Sequence, residues 1–94
     1  MSLPEINVFF EDLGGGGEFE LRSEFDPTGP AIRINIRVLN KMKAPEAQRF
    51  VTHAIAHELY HLLEHRGGVQ PSMKISVSEA RAEEFARLVL AMRA

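Results

Sequence analysis

The residues with the clearest chemical potential lie in the run His57-Glu58-Leu59-Tyr60-His61, which has the spacing H-E-x-x-H. If this run is helical, residues four positions apart share one face, about 40° from perfect register, so both imidazoles can reach one ion. Zinc accepts neutral imidazole nitrogens tetrahedrally and leaves one position for water in catalytic sites. The spacing therefore predicts His57 and His61 as zinc ligands.

Glu58 lies beside the first predicted ligand and projects about 100° from it around a helix. That direction coincides with an apolar stripe of the same helix, formed by Ala47, Val51, Ala54 and Leu62. A carboxylate on such a stripe is costly unless it has a partner. A zinc-bound water would be that partner, so Glu58 is the predicted general base.

A catalytic zinc site needs a third protein ligand. The metzincin pattern would place a histidine ten residues after His57, where this chain has Gly67. The other two histidines, His53 and His65, lie on the same predicted helix as the motif. We expect His53 to be solvated and His65 to be a supporting or core histidine, so the third ligand should be a carboxylate elsewhere.

A second predicted helix offers Glu79, Glu83 and Glu84 as carboxylate ligands. On a helical wheel Glu79 lies at the margin of the apolar stripe, Glu83 lies about 40° further toward solvent, and Glu84 lies on the polar face. The run Ser76-x-x-Glu79 is also a capping box, in which Glu79 would bond its own helix start. The ligand role is favoured because the two histidines otherwise lack a third partner.

The elements that must position these residues divide the chain into two halves. Alternation with period two predicts three strands, with apolar faces formed by Ile6, Val8 and Phe10, by Phe19, Leu21 and Phe25, and by Ile32, Ile34, Ile36 and Val38. Arg33, Asn35 and Arg37 should form the wet face of the third strand. Glycines 14–17 and the run 26–29 are suited to turns.

The second half has helical periodicity, from Pro45 to about Arg66 and from about Val77 to Met92. Pro45 suits a first helical turn, and the glycines at 67 and 68 suit a C-terminal stop. The predicted fold class is α+β, a small three-stranded, mainly antiparallel sheet with one face covered by two helices.

Composition limits the function classes. The 94 residues fit one domain spanning residues 1–94, and a net charge of −2 argues against nucleic acid as a partner. The sequence shows no signal peptide and no apolar run long enough to span a membrane. The absence of cysteine fits a reducing, cytoplasmic location.

The motif at 57–61, together with Glu79-Ala80-Arg81-Ala82-Glu83-Glu84-Phe85-Ala86, resembles the gluzincin metallopeptidases. The frame E-x-x-A-x-x-F-A is similar to minigluzincin and ImmA/IrrE-type proteins. The resemblance covers about residues 32–86 and implies a zincin-like fold, a peptide or protein substrate, and Glu79 rather than Glu83 as third ligand. It also implies that the strand over 32–38 offers a free edge to the substrate. Tyr60 departs from the pattern of these relatives, which often have a small residue there, and we expect it to narrow the site.

These observations predict a zinc-dependent metallopeptidase that hydrolyses peptide bonds. Zinc would be held by His57, His61 and Glu79, and Glu58 would act as general base on a zinc-bound water. The alternative hypothesis is a latent or inactive zinc-binding domain that acts as an interaction or regulatory module.

Overall fold

The computed structural model describes residues 6–15, 21–69 and 74–93. Along the chain these contain β1 (Asn7–Glu11), β2 (Ser23–Asp26), β3 (Ala31–Asn35), α1 (Ile36–Leu39), α2 (Ala44–Arg66) and α3 (Ile75–Arg93). The two predicted long helices are confirmed within two residues at each end. Phe19 and the second half of the predicted glycine turn lie outside the described residues.

The three strands form a mixed sheet in the order β1-β3-β2. β2 pairs antiparallel with β3, with Ser23 opposite Ile34, whereas β1 runs parallel to β3. The chain reverses direction between β1 and β2 and again between β2 and β3, so β1 and β3 point the same way. The predicted α+β class and the three strands are confirmed, and one of the two strand pairs is antiparallel.

The third strand ends earlier than the alternation predicts. Its last residue, Asn35, is the N-cap of α1, because its side-chain oxygen accepts a hydrogen bond from the Arg37 backbone N–H at 3.1 Å. Asparagine is a preferred N-cap residue, since it satisfies a backbone donor that has no partner within the helix. Ile36 and Val38 therefore belong to a helical turn and not to the strand.

α2 lies between the sheet and α3. Phe50 and Ala54 on α2 are buried in one cluster with Ile32 and Ile34 of β3. α2 also contacts α3 extensively, so the helices form successive layers on the sheet. The helix begins with proline in its first turn and ends at Gly67, whose φ of 78° is left-handed and whose N–H bonds to Glu64 O, as the sequence predicts.

Asn35 is fully buried, although the alternation places it on the wet face of β3. Its side chain accepts from the backbone N–H of Leu13 at 3.2 Å and donates to the carbonyls of Gly14 at 3.0 Å and Leu21 at 2.7 Å. These bonds join the segment that follows β1 to the segment that precedes β2. Asn35 therefore holds the start of β2 in place.

Arg33 lies on the solvent-facing side of β3, as the alternation predicts. Its guanidinium, on the same strand as Asn35, pairs with the carboxylates of Glu24 at 3.2 Å and Asp26 at 3.0 Å. None of the helices in the described ranges is both long enough and apolar enough to cross a lipid bilayer.

Replacing Asn35 by Ala should lower the free energy of unfolding by about 2 kcal/mol or more, because several buried backbone groups lose their partner. Urea denaturation of the parent and the variant measures this loss. Asn40→Ala is the matched control, because Asn40 is exposed, and it should change stability by less than about 0.5 kcal/mol. Equal stability of Asn35→Ala and the parent would contradict the assigned role.

Candidate metal centre

The H-E-x-x-H run lies in the middle of α2, where the helix is regular. His57 and His61 are one turn apart, and their ring centroids are separated by 5.3 Å. The side-chain ligand atoms of His57, Glu58 and His61 all lie within 4.8 Å of one another. These three side chains could therefore hold a metal ion between them.

Glu79 of α3 approaches both histidines from the neighbouring helix. Its Oε2 lies 2.9 Å from His57 Nε2, and its Oε1 lies 3.0 Å from His61 Nε2. One carboxylate thus faces the same ring nitrogen of both imidazoles. Glu79 is therefore an alternative to Glu58 as the carboxylate beside the two imidazoles, and two nitrogen donors with one carboxylate suit a three-ligand metal site with an open fourth position.

His61 Nε2 is the atom at which the fit of a metal ion can be tested. Among the described side chains it is the buried polar atom without a hydrogen-bond partner. The 3.0 Å contact with Glu79 Oε1 is an ion-pair distance, but it does not satisfy a hydrogen bond at this nitrogen. Buried polar atoms without a partner are rare in folded proteins. A metal ion between His57, His61 and Glu79 would satisfy this nitrogen.

The capping-box alternative for Glu79 requires Ser76 to precede the helix. α3 begins at Ile75, so Ser76 lies within the first turn and is not the N-cap. The Glu79 carboxylate points instead at the two imidazoles. The geometry therefore agrees with a ligand position for Glu79.

Glu58 is 5% exposed, so its carboxylate is buried as the apolar stripe predicts. Its Oε2 accepts a hydrogen bond of 2.5 Å from the Ser23 hydroxyl of β2. Burial raises the pKa of the Glu58 carboxyl, while the Ser23 hydrogen bond and the nearby His57 act in the opposite direction. Sequence periodicity did not identify Ser23, because nothing local connects two residues 35 positions apart.

A second carboxylate, that of Glu83, contacts the other ring nitrogen of His57. Glu83 Oε1 lies 3.0 Å from His57 Nδ1, the ring nitrogen that faces away from Glu79. Glu83 Oε2 also lies 3.3 Å from His53 Nε2, so His53 is not simply solvated, as the sequence analysis expected. A carboxylate on the outer nitrogen of a ligating histidine fixes its tautomer and its ring orientation.

His61 has a corresponding support. Its Nδ1 lies 3.1 Å from Glu64 Oε1, and the Ser78 hydroxyl donates to the same oxygen at 2.5 Å. The Glu64 side chain is only 10% exposed. Helical spacing could have identified Glu64, since it lies three residues after His61 on the same face. Ser78 could not be identified this way, because it comes from α3.

An open cleft of about 940 Å³ gives access to the cluster. It is bounded by β2, α2 and the start of α3, and its lining includes Leu21, Ser23, Phe25, Phe50, His57, Glu58, His61, Ile75 and Glu79. β1 and β2 are the two outer strands of the sheet, and β2 is the one that lines the cleft; within the described ranges no strand pairs with its other edge. The predicted free edge therefore belongs to β2 and not to β3, which has a neighbour on both sides.

The tertiary structure corrects the expectations for two ring-bearing residues near the site, Tyr60 and His65. Tyr60 packs in the interface of α2 and α3, where its ring centroid is 5.8 Å from that of Phe85, so it does not narrow the cleft. His65 is exposed and contacts the ring of Phe25 edge-on at 6.3 Å. It is therefore not a core residue, and in the described part of the chain it makes no contact with His57 or His61.

Comparison of the chain with protein-family models, with curated proteins and with solved structures found no match.

The carboxylates of α3 should contribute unequally to metal affinity. Glu79→Ala should weaken zinc binding most, because Glu79 faces both Nε2 atoms. Glu83→Ala should weaken it by about 10-fold to 100-fold, because Glu83 orients only His57. Competition titration of zinc against a coloured chelator ranks the variants.

Glu84→Ala is the matched control for this series, because Glu84 is exposed on the same helix and its affinity for zinc should equal that of the parent. A larger loss for Glu83→Ala than for Glu79→Ala would exchange the roles of the two carboxylates.

Proposed function

We propose that the protein is a zinc-dependent peptidase. The observation that carries this proposal is the approach of one carboxylate, Glu79, to within 3.0 Å of Nε2 in both His57 and His61, with Glu58 buried beside them. Two imidazoles and one carboxylate, without any cysteine in the chain, form a donor set typical of catalytic zinc.

Zinc, when bound, supplies Lewis acidity that polarises a substrate carbonyl and makes water acidic near neutral pH. Glu58 would accept the proton of the attacking water at its carboxylate and then pass it to the departing amine. Burial suits this role, because a raised pKa lets a carboxyl both accept and return a proton. Glu83 and Glu64 would keep His57 and His61 in the orientation that ligation requires.

The proposed substrate is an extended peptide that adds to the outer edge of β2. A strand at the edge of a sheet presents backbone donors and acceptors that an incoming strand can satisfy. Ser23 and Glu58 line the same cleft, so a peptide on this edge would lie beside the predicted base. The apolar side chains of Leu21, Phe25 and Ile75 would face such a substrate along the cleft.

Purified protein should contain about one zinc ion per chain, and removal of zinc should lower its melting temperature, because a ligand that binds only the native state stabilises it. Elemental analysis and melting curves with and without chelator measure both effects. His57→Ala and His61→Ala should melt at the same temperature with or without chelator. His65→Ala, an exposed histidine on the same helix, should behave as the parent. Failure to load zinc at all would remove the proposal.

Glu58→Gln should retain zinc but lose hydrolysis by about a hundredfold to ten-thousandfold, because the base is removed and the ligands remain. The assay is cleavage of a mixed peptide library by zinc-loaded protein, with fragments identified by mass spectrometry. Chelator should stop cleavage by the parent.

Glu84→Gln makes the same chemical change at an exposed position and should cut as the parent does. If zinc-loaded parent cuts no peptide, the latent zinc-binding module replaces the peptidase. If Glu58→Gln cuts at the parental rate, the proposed base is wrong.

A further inference from the structure

A single hydrogen bond joins the sheet to the predicted base. The Ser23 hydroxyl of β2 donates to Glu58 Oε2 of α2 at 2.5 Å. Hydrogen bonds to a charged acceptor are shorter and stronger than those between neutral groups. This contact therefore fixes the position of the carboxylate relative to the edge strand as well as to its own helix.

The two oxygens of Glu58 have different surroundings. Oε2 accepts from the Ser23 hydroxyl, and within the described ranges the Glu58 side chain makes no other hydrogen bond to the protein. The second oxygen, Oε1, has no hydrogen-bond partner among the described residues but remains accessible to solvent, although the residue as a whole is only 5% exposed. Glu58 also lines the cleft. One oxygen is thus anchored, and the other is left for a group in the cleft.

We propose that Ser23 is a positioning residue for Glu58, whose hydroxyl holds one carboxylate oxygen so that the other faces the water that attacks the substrate. This inference rests on the proposed peptidase function. The Ser23 hydroxyl contacts the base and does not itself touch the reacting atoms.

The fold gives Ser23 a fixed position from which to act. Its backbone pairs with β3 opposite Ile34, and Asn35 bonds to the Leu21 carbonyl just before β2. The same strand carries the edge proposed to bind the peptide. Base and substrate would therefore be aligned through one strand, which matters because small displacements of a catalytic group lower the rate steeply.

The test compares zinc-loaded parent with Ser23→Ala and Ser23→Thr in peptide hydrolysis. Ser23→Ala should lower kcat by about 10-fold to 100-fold and leave KM unchanged, since a misplaced base loses part of what general-base catalysis contributes. Ser23→Thr retains a hydroxyl and should restore most of kcat. Ser76→Ala is the matched control, because Ser76 is exposed on α3, and it should leave both constants unchanged.

A raised KM at unchanged kcat would overturn the inference, because Ser23 would then serve substrate binding. Parental kcat in Ser23→Ala would also overturn it. A third outcome would overturn it as well: kcat falls in both Ser23→Ala and Ser23→Thr, and the melting temperature falls in both. The role of Ser23 would then be structural.

Crystal structures of the same zinc-loaded proteins provide a readout that does not depend on activity. Glu58 should occupy one conformation in the parent and in Ser23→Thr, and should rotate or split into several conformations in Ser23→Ala. An unchanged Glu58 in Ser23→Ala would overturn the inference. If the parent loads zinc but cuts no peptide, the proposed function fails, and the position of Glu58 still decides whether Ser23 anchors it.

Discussion

The packing of α3 against α2 is the contact on which the candidate site depends. Ala82 and Ala86 of α3 are fully buried, and side chains this small let the helices approach closely. The helices run in opposite directions, because Glu79 lies beside His61 and Glu83, one turn later, lies beside His53. A change in this packing would separate the carboxylates from the imidazoles while leaving the motif on α2 intact.

The same interface concentrates ionisable groups that are costly to bury alone. Each imidazole of the motif faces Glu79 with its Nε2 and a different carboxylate with its Nδ1, which is Glu83 for His57 and Glu64 for His61. These contacts fix the orientation of both imidazole rings. They also bring negative charge to one place, which a divalent cation would offset.

A chain of 94 residues has a small core, and here α2 contributes residues both to that core and to the candidate site. Phe50 and Ala54 pack on the sheet one or two turns before the first histidine of the motif. If His57 and His61 hold a metal ion as proposed, its binding would be coupled to folding, because both residues lie on the helix that joins the sheet to α3. The Ser23–Glu58 hydrogen bond extends this coupling to the edge strand.

Local sequence determined the features that depend on spacing within one element. The helix bounds, the glycine stop at Gly67, the shared face of His57 and His61 and the burial of Glu58 follow from periodicity, because helical geometry fixes them without reference to other segments. Only the tertiary structure decided that β2 rather than β3 lies at an edge of the sheet, that β3 ends at the buried N-cap residue Asn35, and which side chains contact the histidines. Those features depend on contacts between residues far apart in the chain, and periodicity contains no information about strand order or about the side chain that an opposing element presents.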